Sequence, residues 1–283
     1  MSNCRVRETD EKLDAILYYL MEKRGLDFSG YHSAMLERCI HLRLKATSSE
    51  DFDDYLSCLR KDDAELDHLL GVLTVNVTRF FRDTLTFELI ADRILPVIIR
   101  EKSRSNDSSL RIWSAGCANG AEPYSMAILL RELLEKEVHA MNLHIFATDI
   151  DSDALDAARK ALYSMESLEH VKCHILRKYF VPECERFRLI PEVRSMVTFS
   201  VFDLLDKKHS VPPESVFGNF DLVFCLNCLI YFNIDYQEII FDKLYHSLAK
   251  NSYLIMGTAE APPMKYRYHF NRVFDFSRIY QKK

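Results

Sequence analysis

Residues 111–131 read RIWSAGCANGAEPYSMAILLR and carry the strongest structural signal in this 283-residue chain. A short apolar run at Ile112 and Trp113 enters a turn bounded by Gly116 and Gly120, and apolar residues with helical spacing follow. The chain contains only seven glycines, so two of them four residues apart indicate a sharp turn or a ligand close to the main chain. The pattern predicts a strand, a ligand-binding loop and a helix.

The composition of the loop narrows the class of ligand. A dinucleotide fingerprint needs a third glycine and an open helix N-terminus for pyrophosphate, but Glu122 and Pro123 follow Gly120 here. The Gly-Lys-Ser/Thr sequence of a P-loop is also absent from the sequence. A carboxylate at a helix start repels phosphate and attracts an ammonium group. We therefore expect Glu122 to face a cationic part of the ligand.

A second acid follows the next predicted strand. Residues 144–148 (HIFAT) form a strand pattern that ends at Asp149 and Asp151, and a helical pattern follows over 153–162. An acid at this strand end suits the two hydroxyl groups of a ribose. A glycine loop, an acid facing an ammonium group and an acid facing a ribose together describe a site for S-adenosylmethionine.

Strand and helix patterns alternate through the C-terminal two thirds of the chain. Strands are predicted at 197–202, 220–225 and 253–256, with a helix at 236–248 and edge strands within 273–280. The alternation predicts a doubly wound α/β sheet, which binds ligands at the carboxyl ends of its strands.

Four polar residues lie just past predicted strand ends: Glu122, Asp149, Asp203 and Asn227. Their shared position favours one common site at the sheet edge. The alternative is structural, with Glu122 complementing the dipole of its own helix and Asp149 capping the next helix.

Residues 10–70 show helical apolar periodicity and no strand pattern. Turns are predicted at 25–30 and 47–49, with Ser48 or Ser49 as the N-cap of the following helix. The second helix carries a cationic cluster: Arg38, His41, Arg43 and Lys45. This cluster is either a solvated helix face or a docking face for an acidic partner.

The residue pattern of 71–100 predicts a connecting segment followed by a helix that ends near Pro96. Its start combines polar and aromatic side chains: Asn76, Thr78, Phe80, Phe81 and Arg82. The two phenylalanines are most simply packing residues, and the polar residues beside them are candidates to close over a ligand.

Composition excludes several classes of protein. The chain has 48% apolar residues, and 37 Lys and Arg against 42 Asp and Glu give a formal charge of −5. The length and apolar content allow two domains, and the charge does not favour nucleic acid or an anionic membrane as partner. Because the sequence shows no signal peptide and no long apolar span, we expect a cytoplasmic protein without membrane insertion.

The eight cysteines have no repeating spacing. Cys225 and Cys228 form a C-x-x-C sequence, for which a redox or zinc role is the alternative. With no second pair at ligand spacing, we interpret them as reduced structural thiols and predict no metal site.

Taken together, these segments resemble the CheR family of chemotaxis receptor glutamate O-methyltransferases. The matching segments are GYHSAMLERCIHLRL, NVTRFFRD, SAGCANGAEPYS, ATDID, FDLVFCLNCLIYF and GTAE. The resemblance implies an all-α N-terminal domain at residues 1–75 and a Rossmann-like α/β methyltransferase domain at 76–283. The second domain would begin with a linker helix at 76–100 and contain a small inserted β-subdomain at about 163–197.

The resemblance also implies site residues. Cofactor contacts would come from Asn76, Thr78, Arg82, Glu122, Asp149, Asp203, Leu204, Leu226 and Asn227. In this scheme Glu122 binds the methionine amino group, Asp149 the ribose, and Asp203 with Leu204 the adenine. Leu226 and Asn227 line the methionine end. Arg82 and Tyr231 would be the catalytic residues beside the reacting glutamate, and the alternative role of Tyr231 is a core aromatic.

The implied activity is methylation of glutamate carboxylates on methyl-accepting chemotaxis receptors, with S-adenosylmethionine as cofactor and S-adenosylhomocysteine as product. The cytoplasmic helical region of the receptor would dock through Arg38, Arg43 and Lys45. The insert around residues 179–188 is short, which predicts that a receptor tether peptide does not dock there.

Three positions depart from the family pattern. Ala121 replaces an acid, Leu226 replaces an arginine, and Cys39 replaces a basic residue. Loss of an arginine beside the cofactor removes a charged hydrogen bond worth about 1.5–3 kcal/mol. The alternatives are therefore a member that binds S-adenosylmethionine or S-adenosylhomocysteine without efficient turnover, or a methyltransferase for another carboxylate.

Overall fold

The structure is a computed structural model that describes residues 2–74, 78–105, 107–134 and 141–283. The chain divides into two compact units. The first unit comprises Met1–Asn76 together with Tyr231–Tyr236, and the second comprises Val77–Ile230 together with Gln237–Lys283. Across these described ranges, no helix has both the length and the apolar character needed to span a bilayer.

The first unit is helical, as predicted. Its helices are α1 (Ser2–Arg24), α2 (Ser33–Thr47), α3 (Phe52–Leu59) and α4 (Asp63–Leu73). The predicted N-cap at Ser48 or Ser49 is wrong. Ser48 follows the end of α2 in a left-handed conformation, and the Asp51 side chain caps α3 by accepting the Asp54 N–H at 2.9 Å. An aspartate directly before the helix forms this cap, and the serines before it complete the turn.

A buried ion-pair network connects three of these helices. The Arg43 guanidinium donates to both oxygens of Glu65 at 2.8 and 2.5 Å, and the Tyr55 hydroxyl donates to Glu65 Oε1 at 2.7 Å. The Arg43 side chain is only 19% exposed. Arg43 therefore does not lie on an exposed helix face with Arg38 and Lys45. The expected docking face formed by these three residues is wrong at Arg43. Arg38 and Lys45 are exposed.

A short segment distant in sequence completes the first unit. The His32 N–H donates to the Tyr231 carbonyl at 3.0 Å, the Asn233 N–H donates to the Gly30 carbonyl at 2.8 Å, and Phe232 packs on Tyr31 with ring centroids 4.4 Å apart. These contacts join positions about two hundred residues apart, so no local sequence pattern reports them.

The second unit contains a large sheet with strand order β6-β2-β1-β7-β8-β10-β9 and a small antiparallel sheet with order β3-β5-β4. The strands are β1 (Ser109–Ala115), β2 (Asn142–Asp149), β3 (Leu162–Ser164), β4 (Phe180–Glu183), β5 (Arg186–Leu189), β6 (Val197–Val201), β7 (Phe220–Cys225), β8 (Leu248–Met256), β9 (Phe270–Arg272) and β10 (Ile279–Lys282). Strands β6, β2, β1, β7 and β8 are parallel, and β10 and β9 are antiparallel. The predicted α/β class with a small β-subdomain is confirmed.

The remaining helices precede β1 or lie between strands along the chain. They are α5 (Thr84–Leu89), α6 (Leu95–Ser105), α7 (Ala121–Leu134), α8 (Ser152–Lys160), α9 (Cys173–Tyr179), α10 (Pro191–Arg194) and α11 (Ile234–Ser247). The order of the large sheet reverses between β1 and β7, which neighbour each other although five strands separate them in sequence. A doubly wound sheet opens a ligand crevice at such a switch point.

The helix predicted to end near Pro96 continues to Ser105, so that prediction is wrong. A π-helical turn at Ile90–Ile94 precedes the proline, and the Leu95 N–H bonds the Ile90 carbonyl five residues back. In a regular helix the proline ring would clash with a carbonyl of the preceding turn. The wider π turn changes the register of that turn, and the helix continues through Pro96.

Replacing Arg43 tests the buried network of the first unit. Arg43→Met leaves the Glu65 carboxylate buried without its cation, so we expect the free energy of unfolding to fall by about 3 kcal/mol. Urea unfolding followed by far-ultraviolet circular dichroism measures this change.

Burial raises the pKa of Glu65, but hydrogen bonds from Arg43 and Tyr55 outweigh burial and hold the pKa below its usual value. This stability is therefore present above the unfolded pKa of about 4.3 and is lost as the pH falls through the lower folded pKa.

Lys45→Met is the matched control because Lys45 is an exposed cation on the same helix. We expect it to change the free energy of unfolding by no more than about 0.5 kcal/mol. Equal effects of the two substitutions would contradict the structural role assigned to Arg43.

Candidate active site

The loop after β1 is attached to the end of β2 by backbone hydrogen bonds. The N–H groups of Gly116 and Cys117 both donate to the Thr148 carbonyl, at 2.8 and 2.9 Å. Gly116 and Gly120 have φ values of +75° and +84°, and a Cβ on Gly120 would lie 2.8 Å from the Ala158 Cβ. The predicted need for glycine at this turn is confirmed, since both backbone freedom and close packing require it.

Glu122 is buried at the start of α7. Its Oε1 accepts a hydrogen bond from the Ser114 hydroxyl at 2.6 Å, and the residue is 8% exposed. Burial raises the pKa of Glu122 to about 8, with the nearby Glu260 adding to the rise and the Ser114 hydrogen bond opposing it. The carboxyl group is therefore largely protonated at neutral pH, and a cation placed beside it would favour the ionised form.

Asp149 connects the loop after β1 to the start of α8. Its Oδ2 accepts the Ala118 N–H at 2.7 Å and its Oδ1 accepts the Asp151 N–H at 3.0 Å. Burial raises the pKa of Asp149 despite these hydrogen bonds. Each oxygen of a carboxylate accepts more than one hydrogen bond, so acceptor capacity remains for ligand hydroxyls. The alternative role as a helix cap belongs instead to Asp151, which accepts from the N–H groups of Asp153 and Ala154.

Glu260 holds the loop after β7 and was not predicted as a site residue. Its carboxylate accepts N–H groups from Gly257 at 2.7 Å, Asn227 at 2.9 Å, Leu229 at 2.7 Å and Ile230 at 3.3 Å. Glu260 is 5% exposed, and burial raises its pKa against these four hydrogen bonds. One buried carboxylate thus fixes the backbone at Asn227, which has a φ of +57°, and at Leu229 and Ile230 after it.

Gly257 allows this arrangement because a side chain would not fit. A Cβ at this position would lie 2.7 Å from the Asn227 nitrogen, 2.7 Å from Glu260 Oε2 and 2.8 Å from Asn227 Nδ2. The sequence signal was a scarce glycine and an acid three residues apart after an apolar strand, within the segment GTAE. That pattern points to a turn, but it does not reveal that the acid binds a different loop.

The loop after β6 carries Asp203 and Leu204, the predicted adenine contacts. The Phe202 N–H donates to the Asp149 carbonyl at 2.9 Å, which links this loop to the end of β2. Lys243 supports it from α11, donating to the Asp206 carbonyl at 2.7 Å with its ammonium 4.8 Å from the centroid of the Phe202 ring. Leu204 is buried, and the Asp203 side chain accepts the Leu205 N–H at 2.8 Å.

The linker residues are described only in part. Asn76 lies outside the described residues, Thr78 is half-buried and Arg82 is exposed. The interpretation of the two phenylalanines as packing residues is confirmed, since Phe80 and Phe81 are both buried and contact other aromatic rings.

Leu226 and Tyr231 are both half-buried. Leu226 directly follows β7, and Tyr231 belongs to the first unit. The predicted cofactor and catalytic roles of these residues, and of those in the linker, stay predictions.

Three buried acids therefore meet one edge of the sheet: Glu122, Asp149 and Glu260 all have raised pKa values. Among the described residues, the groups that shift the pKa of Glu122 are Ser114 and Glu260, and neither is a cation. S-adenosylmethionine carries an ammonium and a sulfonium group, so these residues fit it. A phosphate-rich ligand would add negative charge to a site that already has an excess.

Comparisons with known proteins match both parts of the chain to domains of one family. Residues 76–275 match the CheR methyltransferase SAM-binding domain, and residues 11–74 match the CheR methyltransferase all-alpha domain. The chain is 29% identical to the chemotaxis protein methyltransferase of Borreliella burgdorferi over 261 residues, which cover 91% of this chain and 90% of the relative. It is 30% identical to the chemotaxis protein methyltransferase of Salmonella typhimurium over 262 residues, which cover 90% of this chain and 85% of the relative.

The buried Glu122 carboxyl predicts how stability depends on pH in the ligand-free protein. Its pKa is about 8 in the folded chain and about 4.3 in an unfolded chain. Stability from the protonated carboxyl is therefore complete below the unfolded pKa and is lost progressively as the pH rises through the folded pKa. Glu122→Gln removes this loss, so we expect the variant to gain stability relative to the wild type as the pH rises from about 4.3 to about 8, and to keep that gain at higher pH.

Urea unfolding followed by the fluorescence of Trp113, the only tryptophan, measures this difference in the second unit. Glu214→Gln is the control because Glu214 is exposed, and it should follow the wild type at every pH. Parallel pH profiles for Glu122→Gln and the wild type would show that the Glu122 carboxyl does not carry the buried proton.

Proposed function

Because the chain belongs to the CheR methyltransferase family, we propose that it methylates glutamate side chains of methyl-accepting chemotaxis receptors, using S-adenosylmethionine. Methyltransferase activity and the cofactor follow from the family, and the receptor glutamate is the proposed substrate. One observation carries the proposal: the similarity extends through both domains and about nine tenths of each chain in relatives named chemotaxis protein methyltransferases.

The chemistry of this acceptor requires few catalytic groups. A glutamate side chain has an unperturbed pKa of about 4.3, so it is already an anionic nucleophile at neutral pH and needs no general base. When bound, the cofactor supplies an electrophilic methyl group on a sulfonium. The protein must hold the acceptor oxygen in line with that methyl group, and such alignment is worth about 7–11 kcal/mol in favourable cases.

We propose that Glu122 binds the ammonium group of the methionine moiety and that Asp149 accepts hydrogen bonds from the ribose hydroxyls. The burial of both carboxyls near the carboxyl ends of the neighbouring strands β1 and β2 supports these roles. Asp203 and Leu204 are proposed to contact the adenine, which is consistent with their loop being joined to the end of β2.

Leu226 and Asn227 are proposed to line the methionine end. The support for this role is the clamp that Glu260 applies to the Asn227 backbone. The linker residues Asn76 and Thr78 are proposed to contribute further cofactor contacts.

Arg82 and Tyr231 are the proposed orienting groups for the acceptor carboxylate. The planar guanidinium of an arginine binds a carboxylate through two parallel hydrogen bonds, and a tyrosine hydroxyl donates one more. Arg82 is exposed, as a residue that receives part of another protein must be. Orientation must not become a full buried ion pair, because strong pairing lowers the reactivity of the oxygen.

Labelled methyl transfer tests the proposal. The protein is incubated with S-adenosylmethionine carrying a labelled methyl group and with cytoplasmic fragments of chemotaxis receptors. Carboxyl methyl esters release labelled methanol in alkali, so we expect alkali-labile label on the receptor fragment.

Arg82→Ala should lower kcat by about tenfold or more with a smaller change in cofactor affinity, because the acceptor carboxylate is no longer positioned. Asp149→Ala should mainly weaken cofactor binding.

Arg93→Ala is the control because Arg93 is an exposed arginine that lies eleven residues further along the chain, in the π-helical turn Ile90–Ile94. We expect this variant to retain wild-type kinetics. Calorimetric binding of S-adenosylmethionine without label on any receptor would indicate a binding protein without turnover. Label on another protein but on no receptor would identify a different carboxylate substrate, and either result would contradict the proposal.

A further inference from the structure

A groove with two arginines lies within the second unit, and two of its lining residues directly follow Arg82 and Gly257 in sequence. We call it the basic groove and define it by Asp83, Thr86, Thr258, Arg272, Phe276 and Arg278, which are among its lining residues. The groove has a volume of about 520 Å³, including space open to solvent. A space of this size accommodates side chains from one face of a helix, but not the whole helix.

The two arginines of the groove are positioned by the backbone. The Arg272 Nε donates to the Ser277 carbonyl at 2.8 Å, and the Arg278 Nε donates to the Thr258 carbonyl at 3.0 Å. Within the described ranges neither guanidinium group takes part in an ion pair. Since each arginine uses only its Nε in these bonds, the terminal nitrogens of both groups remain available for carboxylates.

The remaining groove wall combines one acid with apolar surface. The Asp83 carboxylate accepts the Thr86 hydroxyl at 2.7 Å and the Thr86 N–H at 3.4 Å, so it already caps helix α5. Leu85 and Phe276 also line the groove and are 53% and 67% exposed. The groove therefore has a net positive charge in a chain whose formal charge is −5. Cationic and apolar walls together match an amphipathic, acidic helix.

The sequence positions of the lining residues join the groove to the proposed site. Asp83 follows Arg82, which we propose to orient the acceptor carboxylate. Thr258 follows Gly257, whose N–H is bound by Glu260. A substrate segment that brings a glutamate to Arg82 would therefore extend naturally along the groove.

We propose that the basic groove binds acidic side chains that flank the acceptor glutamate on a helical segment of the protein substrate. The inference rests on the proposed function and specifies how the substrate is selected. Arg272 and Arg278 bind the flanking carboxylates, and Leu85 and Phe276 contact apolar residues on the same helix face. Substrate choice then depends on the charge around the methylated residue as well as on the residue itself.

Steady-state methylation of a receptor cytoplasmic fragment tests the groove. The double variant Arg272→Gln/Arg278→Gln should raise KM for the receptor by about tenfold or more, with kcat at saturating receptor and the affinity for S-adenosylmethionine nearly unchanged. The control is Arg104→Gln/Lys250→Gln, which removes two exposed cations outside the groove and should leave KM unchanged. Circular dichroism of all variants checks that they fold.

Two further measurements separate charge from structure. Arg272→Lys/Arg278→Lys keeps the charge but loses the Nε hydrogen bonds, and it should recover most of the wild-type KM. Neutralising the acidic neighbours of the acceptor glutamate in the receptor should raise KM for the wild type but not for the glutamine double variant. If neutralising the receptor acids raises KM equally in both proteins, or if the double variant has the wild-type KM for the unmodified receptor, the groove does not bind these carboxylates.

A failure of the groove is distinguishable from a failure of the proposed function. Methylation by the wild type with an unaffected double variant would overturn the groove alone. If the wild type labels no receptor, fluorescence anisotropy with a labelled acidic helical peptide from the receptor still tests the groove. Binding that is lost in the double variant would support it, and no binding, or binding displaced equally by inorganic phosphate in both proteins, would overturn it.

Discussion

The second unit depends on how it satisfies carboxylates buried at the edge of its parallel sheet. A buried carboxylate needs hydrogen bonds, a proton or a cation, because leaving it charged and unpaired is costly. Among the described residues, Glu260 accepts hydrogen bonds from four backbone N–H groups and Asp149 accepts the N–H groups of Ala118 and Asp151, whereas Glu122 accepts the Ser114 hydroxyl. The first two acids thus organise the loops after β1 and β7, and Glu122 is the acid best suited to a cationic ligand.

The arginines of this chain have different roles, depending on whether the fold already pairs the guanidinium group with a carboxylate. Arg43 pairs with the buried Glu65 and stabilises the helical unit, so it is not part of an exposed surface. Arg272 and Arg278 bond only to backbone carbonyls through Nε, and their terminal nitrogens are available to another molecule. Counting basic residues on a helix therefore gives a poor indication of where an acidic partner binds. The partners that each guanidinium already has in the fold are the better guide.

Local patterns were enough to predict the strand, loop and helix around Gly116 and Gly120, because periodicity and glycine spacing act over short distances. They also predicted that several polar residues share the sheet edge. The clamp formed by Glu260 was missed since it joins the loop after β8 to the loop after β7, and no short window contains both. The grouping of Tyr231–Tyr236 with the first unit was missed for the same reason. The π turn before Pro96 was not predicted because the spacing of apolar residues does not distinguish it from a regular helix.

The central proposal is that the Glu122 carboxyl, whose pKa burial raises to about 8, becomes ionised when the cationic cofactor binds. Titration calorimetry with S-adenosylmethionine, in two buffers of different ionisation enthalpy, measures the protons released on binding. With a pKa of about 8 for the Glu122 carboxyl before the cofactor binds, we expect release approaching one proton per cofactor at neutral pH, and little release once the pH is well above that value. Binding with no proton release at neutral pH would contradict it.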